Sequence, residues 1–188
     1  MSDANKVKYG LSNVHYAKLT ETGGVISYGT PVAIKGAVNL SLDAQGDKTD
    51  FFADDSDYYA TTNNTGYSGD LEVARFPESF MTDIFGYSAD TDGNIFEDAS
   101  VEPSRFALLF EFAGDANKTR HVLYDCTCSR PSLASGTTTQ TKDPVTESVT
   151  ITAVPLPDDG AGHRYVKAYC VEGDTDYSSW YTAVVTHA

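Results

Sequence analysis

Hydrophobic and polar residues alternate along most of this chain with a period of two, the spacing of a β-strand that turns one face to a core. The strongest instance is FALLFEF, residues 106–112. Phe106, Leu108, Phe110 and Phe112 share one face of an extended strand, and Ala107, Leu109 and Glu111 share the other. That pattern predicts a strand buried on one side and nearly buried on the other. The stretch from Gly114 to Lys118 supplies turn chemistry, since Gly and Asn accept positive φ. A second period-two run then places His121, Leu123, Asp125, Thr127 and Ser129 opposite Val122, Tyr124, Cys126 and Cys128. The prediction is an antiparallel hairpin at the centre of a sheet, with the Phe face and Val122 or Leu123 forming the core.

Further segments repeat the pattern more weakly. The first ten residues are expected to be a mobile arm, followed by an edge strand with Val14 and Tyr16 on one face and His15 and Ala17 on the other. A short strand is expected over residues 31–35. Beyond Gly36, Val38, Leu40 and Leu42 alternate with Ala37, Asn39, Ser41 and Asp43, and from Gly66, Leu71 and Val73 alternate with Asp70 and Glu72. Val149, Ile151 and Ala153 alternate with Ser148, Thr150 and Thr152, and residues 163–171 are expected to complete a second hairpin with that strand. Only one stretch has a helical period: Phe80, Met81, Ile84 and Phe85, after Pro77 and before Gly86, predict one amphipathic helix over residues 77–85 with a glycine C-cap. Residues 174–185 fit either a short helix or a last strand. Residues 87–104 read as a long polar connection, and 131–144, rich in Ser, Thr and Gly, as a flexible loop.

One segment departs from this grammar. Residues 46–66, GDKTDFFADDSDYYATTNNTG, mix five aspartates with Phe51, Phe52, Tyr58 and Tyr59 and read as an extended acidic loop. Paired aromatics in such a loop call for a partner, either the chain's own sheet or a neighbouring molecule. Phe51, Phe52, Tyr58 and Tyr59 are the candidates for that contact, and candidate inter-subunit contacts if the partner is another copy of the chain.

With 188 residues, 40% hydrophobic, 12% aromatic and 15 Gly, composition fits a single turn-rich all-β domain. The fold class is mainly β, two packed antiparallel β-sheets in a sandwich-like or barrel-like arrangement with one flanking helix and a long loop. The longest uninterrupted apolar run, Phe106 to Phe110, is five residues, against about 20 for a bilayer span. The opening MSDANKVKYG has no signal-peptide pattern, so no membrane partner and a cytoplasmic site of synthesis are expected. Net charge is −14, which excludes nucleic-acid binding by phosphate neutralisation.

Candidate chemistry is sparse. Cys126 and Cys128 lie two apart on one strand, roughly 6.6 Å from each other and too far to bridge, so both, with Cys170, are expected to be reduced core thiols. A metal site would need further ligands. His121 is nearest, but simple alternation puts it on the opposite face from both cysteines. Asp54, Asp55 and Asp57 lack the glycine and trailing glutamate of a calcium loop. Asp90, Asp92, Gly93 and Asn94 come closer, but the twelfth position is Val101 where a bidentate Glu is required. His15, His121, His163 and His187 fall on separate elements, and no nucleophile-elbow, zinc-protease, phosphate-loop or dinucleotide motif is present. No catalytic residue, cofactor or metal is assigned.

Motif order adds a resemblance. KYGLSNVHYAKL (residues 8–19), YGTPVAIKGAVNLSL (28–42), GYSGDLE (66–72), FALLFEF (106–112), TRHVLYDCTCSRPS (119–132) and SWYTAV (179–184) together resemble the phi13-like major tail proteins, the tail tube proteins of siphophages. The resemblance spans nearly the whole chain and involves no chemical motif. It implies a structural virion protein: a subunit that closes into hexameric rings, stacks them into a non-contractile tube, and passes viral DNA without specific binding. The implied partners are other copies of itself, a tape measure protein, and tail completion and distal tail proteins. In that setting the acidic charge would keep DNA from adhering to the tube wall. The competing reading is a soluble β-sandwich binding module that takes a glycan or protein through the Tyr-rich segment 54–67.

Overall fold

The computed structural model describes residues 9–46, 48–53, 56–133 and 145–187, with 48–53 and 56–62 described by backbone alone. The expected N-terminal arm therefore lies outside the described residues up to residue 8, as does most of the loop expected over 131–144. The strands, in chain order, are β1 (Leu11–Thr22), β2 (Val25–Tyr28), β3 (Val32–Ala33), β4 (Ala37–Gln45), β5 (Lys48–Ala53), β6 (Ser56–Thr62) and β7 (Gly66–Val73). The helix α1 (Glu78–Phe85) follows, then β8 (Ser88–Ala89), β9 (Ile95–Phe96), β10 (Phe106–Phe112), β11 (Arg120–Cys128), β12 (Glu147–Val154) and β13 (Lys167–Cys170). The protein is mainly β, antiparallel throughout its ladders, with a single α-helix.

Hydrogen bonding runs through one continuous sheet in the order β2-β1-β10-β11-β12-β7-β4, with β3 joined to β1 and β13 to β11. The two packed layers expected from periodicity thus arise from a single sheet that curls around its own core. Val14 and Tyr16 of β1, Phe106, Leu108 and Phe110 of β10, Ile151 of β12 and Leu71 of β7 meet inside the curl. Leu40 and Leu42 of β4 pack on them, and α1 closes the opening with Phe80, Ile84 and Phe85. The expected central hairpin is present, since β10 pairs with β11 and Leu108 stands opposite Leu123. Leu123 is in this inner core, whereas Val122 lies on the sheet's other side.

That other side carries a second cluster. Ala17, Ala107, Leu109, Val122, Tyr124 and Cys170 are covered by the C-terminal segment, whose Trp180 is buried and whose Tyr177, Tyr181, Val184 and Val185 pack beside it. The alternation in FALLFEF reflects this: both faces of β10 are covered, by different parts of the chain. The C-terminal segment holds a short 3-10 turn at Tyr177–Ser179 and no strand, deciding between the two forms expected there. Arg120 anchors it, with its guanidinium 3.7 Å from the Tyr177 ring centroid and 4.9 Å from that of Tyr181, and its Nε 3.1 Å from Glu111 Oε2.

The helix matches its sequence signals. Pro77 stands just before it in extended conformation, and Gly86 ends it at φ 69°. The Gly86 N–H donates to Thr82 O and the Tyr87 N–H to Met81 O, satisfying two terminal carbonyls. A Cβ at Gly86 would adopt left-handed backbone and come within 2.7 Å of a Val101 methyl. Gly86→Ala is expected to lower stability by about 1 kcal/mol, read as a shifted urea midpoint at unchanged slope.

Two expectations fail in instructive ways. The second hairpin does not form: β12 pairs with β7 and β11, and β13 pairs with β11 rather than with β12. Val154 of β12 stands opposite Asp125, and Lys167 of β13 opposite Leu123. The chain therefore runs along one edge of β11, leaves it over residues 155–165, and rejoins it where the Tyr124 N–H donates to Val166 O. Pro155 and Pro157 lack the N–H groups that continued pairing would use. The second failure is in β11 itself. Phe106 faces Cys126 while Leu108 faces Leu123, so β11 has one residue more than β10 across this interval, a β-bulge. The bulge inverts the alternation, which places Leu123 and both Cys126 and Cys128 in the inner core. His121 is consequently on their side of the sheet, stacked on Phe110 with centroids 5.2 Å apart, and not on the opposite face.

All three cysteines are free and buried. Burial pushes the Cys128 thiol up to about 12 and raises Cys126 and Cys170. Thiolate is the reactive form, so the native protein is expected to react with a thiol reagent at pH 8 far more slowly than the unfolded chain. Rapid labelling of two or more thiols without denaturant would contradict this burial.

Tyr16 supplies a pH dependence. Burial, opposed by the Ser79 hydroxyl and aided by Asp83, raises its pKa to about 12, and its hydroxyl donates to Asp83 Oδ2 at 2.8 Å. Below pH 10 the hydroxyl is protonated in both folded and unfolded chains, and its contribution to stability is intact. Between pH 10 and 12 only the unfolded chain deprotonates, so stability falls as pH rises, by at most about 1.4 kcal/mol per pH unit for each such tyrosine. Tyr28 and Tyr181, also raised by burial, act in the same direction. Chemical denaturation should show a plateau below pH 10 and a decline above it. The Tyr16→Phe variant should decline less steeply.

Candidate assembly surfaces

Within residues 46–66, expected to form a loop, the described residues form two paired strands, β5 and β6. β5 and β6 pair antiparallel, with Lys48 opposite Thr62 and Phe51 opposite Tyr59. A register shift follows, so that Phe52 stands opposite Asp57 and Tyr58 occupies the bulge. The backbone thus gathers all four candidate contact residues, Phe51, Phe52, Tyr58 and Tyr59, into one short stretch of ribbon. Asp54 and Asp55 lie outside the described residues. Aspartates and aromatics in mixed order disguised the period-two signal of these strands.

The hairpin lies between β4 and β7 in the chain, which pair with each other. β4 and β7 pair from Ala37 opposite Val73 to Gln45 opposite Gly66, and the Thr65 N–H donates to Gln45 O just beyond. β5 and β6 follow from this end of the ladder as a separate two-stranded sheet. The ladder tolerates no side chain at Gly69, where a Cβ would lie 1.8 Å from Ser41 O. β4 also carries a bulge, since Ala37 and Asn39 face the consecutive residues Val73 and Glu72. Val38 is the extra residue. It is 53% exposed and does not share the inner face of Leu40 and Leu42 as simple alternation predicted.

The sheet remains open. Among the described residues β4 pairs only with β7 and β2 only with β1. Val38 on β4 and Val25 on β2 are exposed hydrophobic residues at these two terminal strands. Unpaired strand edges are templates for another chain unless charge, proline or closure protects them.

The opposite end of the β4–β7 ladder from the hairpin borders a groove of about 950 Å³. Its walls include Phe76, Pro77 and Met81 around the start of α1, Tyr87 and Ile95 on the far side, and Leu133 at its rim. Lys35, Arg75 and Arg130 also line it, with Glu78, Glu97 and Glu147. Two of those acids are engaged: Glu147 accepts the Phe76 N–H at 2.8 Å, and Glu97 pairs with Arg130. Periodicity had no means of finding this groove, because its lining comes from the ends of several elements and the polar connections between them.

The other candidate chemistry resolves into structure. Asp90 Oδ1 accepts the Asp92 and Asn94 N–H groups at 2.9 and 2.7 Å, and Oδ2 accepts Asn94 Nδ2 at 2.9 Å. These bonds, led by that from the Asn94 side chain, hold the Asp90 carboxyl below its usual range and form the turn between β8 and β9. Among the described residues no group of three His, Cys, Asp or Glu side chains is placed to hold a metal ion. His15 stacks on Tyr181, His187 on Tyr165, and His163 meets Asp159, so the histidines serve separate local contacts.

Compared with known proteins, the chain matches no protein-family model and no curated protein significantly.

Proposed function

We propose that this protein is the tail tube subunit of a siphophage, closing into six-membered rings through its sheet edges and stacking those rings into a non-contractile channel for DNA. A tape measure protein would occupy the lumen during assembly, and completion and distal tail proteins would cap the ends. The carrying observation is the open sheet: β2 and β4 end it with unpaired edges and exposed valines. A monomer that worked alone would be expected to blunt both. The tail-protein motifs spread along the chain give the proposal its direction, and a charge of −14 suits a wall that DNA must slide past.

That charge also sets the assembly conditions. Subunits repel one another at low salt, and added salt shortens the reach of this repulsion from about 30 Å at 0.01 M to about 3 Å at 1 M. Sedimentation velocity should therefore show large assemblies that grow with salt. Val25→Lys and Val38→Lys together should leave the circular dichroism spectrum unchanged and abolish those assemblies. Unaltered assembly in the double variant would remove the sheet edges from the interface.

A further inference from the structure

We infer that one face of the sheet, the outward side of β4, β7, β12 and the end of β11, is the wall along which duplex DNA passes; this rests on, and deepens, the tail tube reading. Register builds the face. Asp43, Ser68, Thr152 and Thr127 stand side by side across the four strands. The two rows next to them are Ser41, Asp70 and Thr150, then Asn39, Glu72 and Ser148. Their neighbours along the strands, among them Leu40, Leu42, Leu71, Val149 and Ile151, lie in or against the inner core, so these ten side chains point the other way. Ser68 and Glu72 are half-buried and the rest exposed. Six of the ten are hydroxyls, three are carboxylates and one is an amide. None is apolar and none is cationic.

That composition separates a passage wall from an ordinary wet face. A face that only meets solvent interleaves both signs of charge, and a face that holds DNA presents Lys and Arg to the phosphates. Among the described residues Asp43, Asp70 and Glu72 have no ion pair, whereas Glu21, Glu97, Glu111, Asp125 and Glu172 each meet a cation. The Thr150 hydroxyl donates to Asp70 Oδ1 at 2.8 Å and the Thr146 hydroxyl to Glu72 Oε1, so neither proton is offered to a phosphate. A sliding phosphate backbone meets negative charge here and no cation to hold it. Placement agrees with this. Over β10 and the start of β11 the same side of the sheet is covered by the C-terminal segment. The bare stretch lies in the other half and runs up to β4, one of the two unpaired edges, so it reaches the seam through which the subunits join.

Labelling of assembled tubes locates the face. Thr152→Cys chains and, separately, Ser148→Cys chains are assembled, treated with a small biotin maleimide, and then given streptavidin on gold beads wider than the tube. Wild-type tubes, whose three cysteines are buried, give the blank. Biotin uptake, read by mass spectrometry, should match that of the unassembled chain, and gold should sit at tube ends but not along the walls in micrographs. The same tubes dispersed in urea should bind at least tenfold more gold per chain. Gold all along the walls would put the face outside and overturn this inference while the tube reading stands. Loss of biotin uptake on assembly, or tubes from the wild type but from neither variant, would place the face at a contact between copies, with the same consequence. No tubes from the wild type at any salt concentration overturns both.

Discussion

Phe80→Ala is expected to cost about 3–5 kcal/mol and to lower the melting temperature by roughly 6–20 °C for a domain of this size. Phe80 is the side chain through which α1 enters the curl of the sheet. Its ring meets those of Tyr16 and Phe76 at 5.0 Å and those of Phe85 and Phe106 at 5.8 Å. Truncation leaves a cavity bounded by four rings, on β1, α1, β10 and the connection before α1, which cannot all move inward together. Phe96→Ala, at an exposed position on β9, should stay within about 0.5 kcal/mol of the wild type. Equal effects from the two substitutions, followed by circular dichroism on heating, would mean that α1 does not plug the sheet.

The next largest effect is expected from Arg105→Met. Asp125 sits in the β11 bulge with its side chain 2% exposed, and Arg105 reaches it with Nε 2.7 Å from Oδ1 and a second nitrogen on Oδ2. A further guanidinium nitrogen lies 2.9 Å from Glu21 Oε2, tying β1 to the same point. Removing the arginine leaves a buried carboxylate with its charge uncompensated. Such losses run to about 3–5 kcal/mol, and the 34% exposure of the Arg105 side chain moderates this one to about 3 kcal/mol. Adding Asp125→Asn should recover part of the loss, giving a favourable coupling in a double-mutant cycle by urea denaturation. Arg105→Lys should not restore it, because an ammonium cannot make the two-pronged contact. Strictly additive costs would show that the pair contributes nothing.

The bulge at Asp125 also marks the limit of what alternation reveals. Where a strand is uninterrupted, as in β12, the buried and exposed positions follow the sequence pattern residue for residue. The helix was legible for the same reason, with Pro77 and Gly86 marking its bounds. Each bulge adds a residue without a sequence signal of its own, and everything beyond it changes face. This moved His121 and Val38. β1 has one too, between Ser12 and His15, where Asn13 takes φ 50°; asparagine tolerates that conformation. Non-local pairing was the other blind spot. Nothing local in residues 163–171 says that they join β11 in preference to β12. Of the candidate contacts, the composition of the hairpin was legible and its strand pairing was not, while Lys35, Arg75 and Ile95 converge only through the fold.

Electron microscopy of the purified wild-type protein tests the central claim most directly. Negative-stain images across a salt series should show tubes of uniform diameter built from stacked six-membered rings, with an open channel along the axis. A monodisperse monomer at every salt and protein concentration, or closed assemblies without an axial channel, would contradict the tail tube.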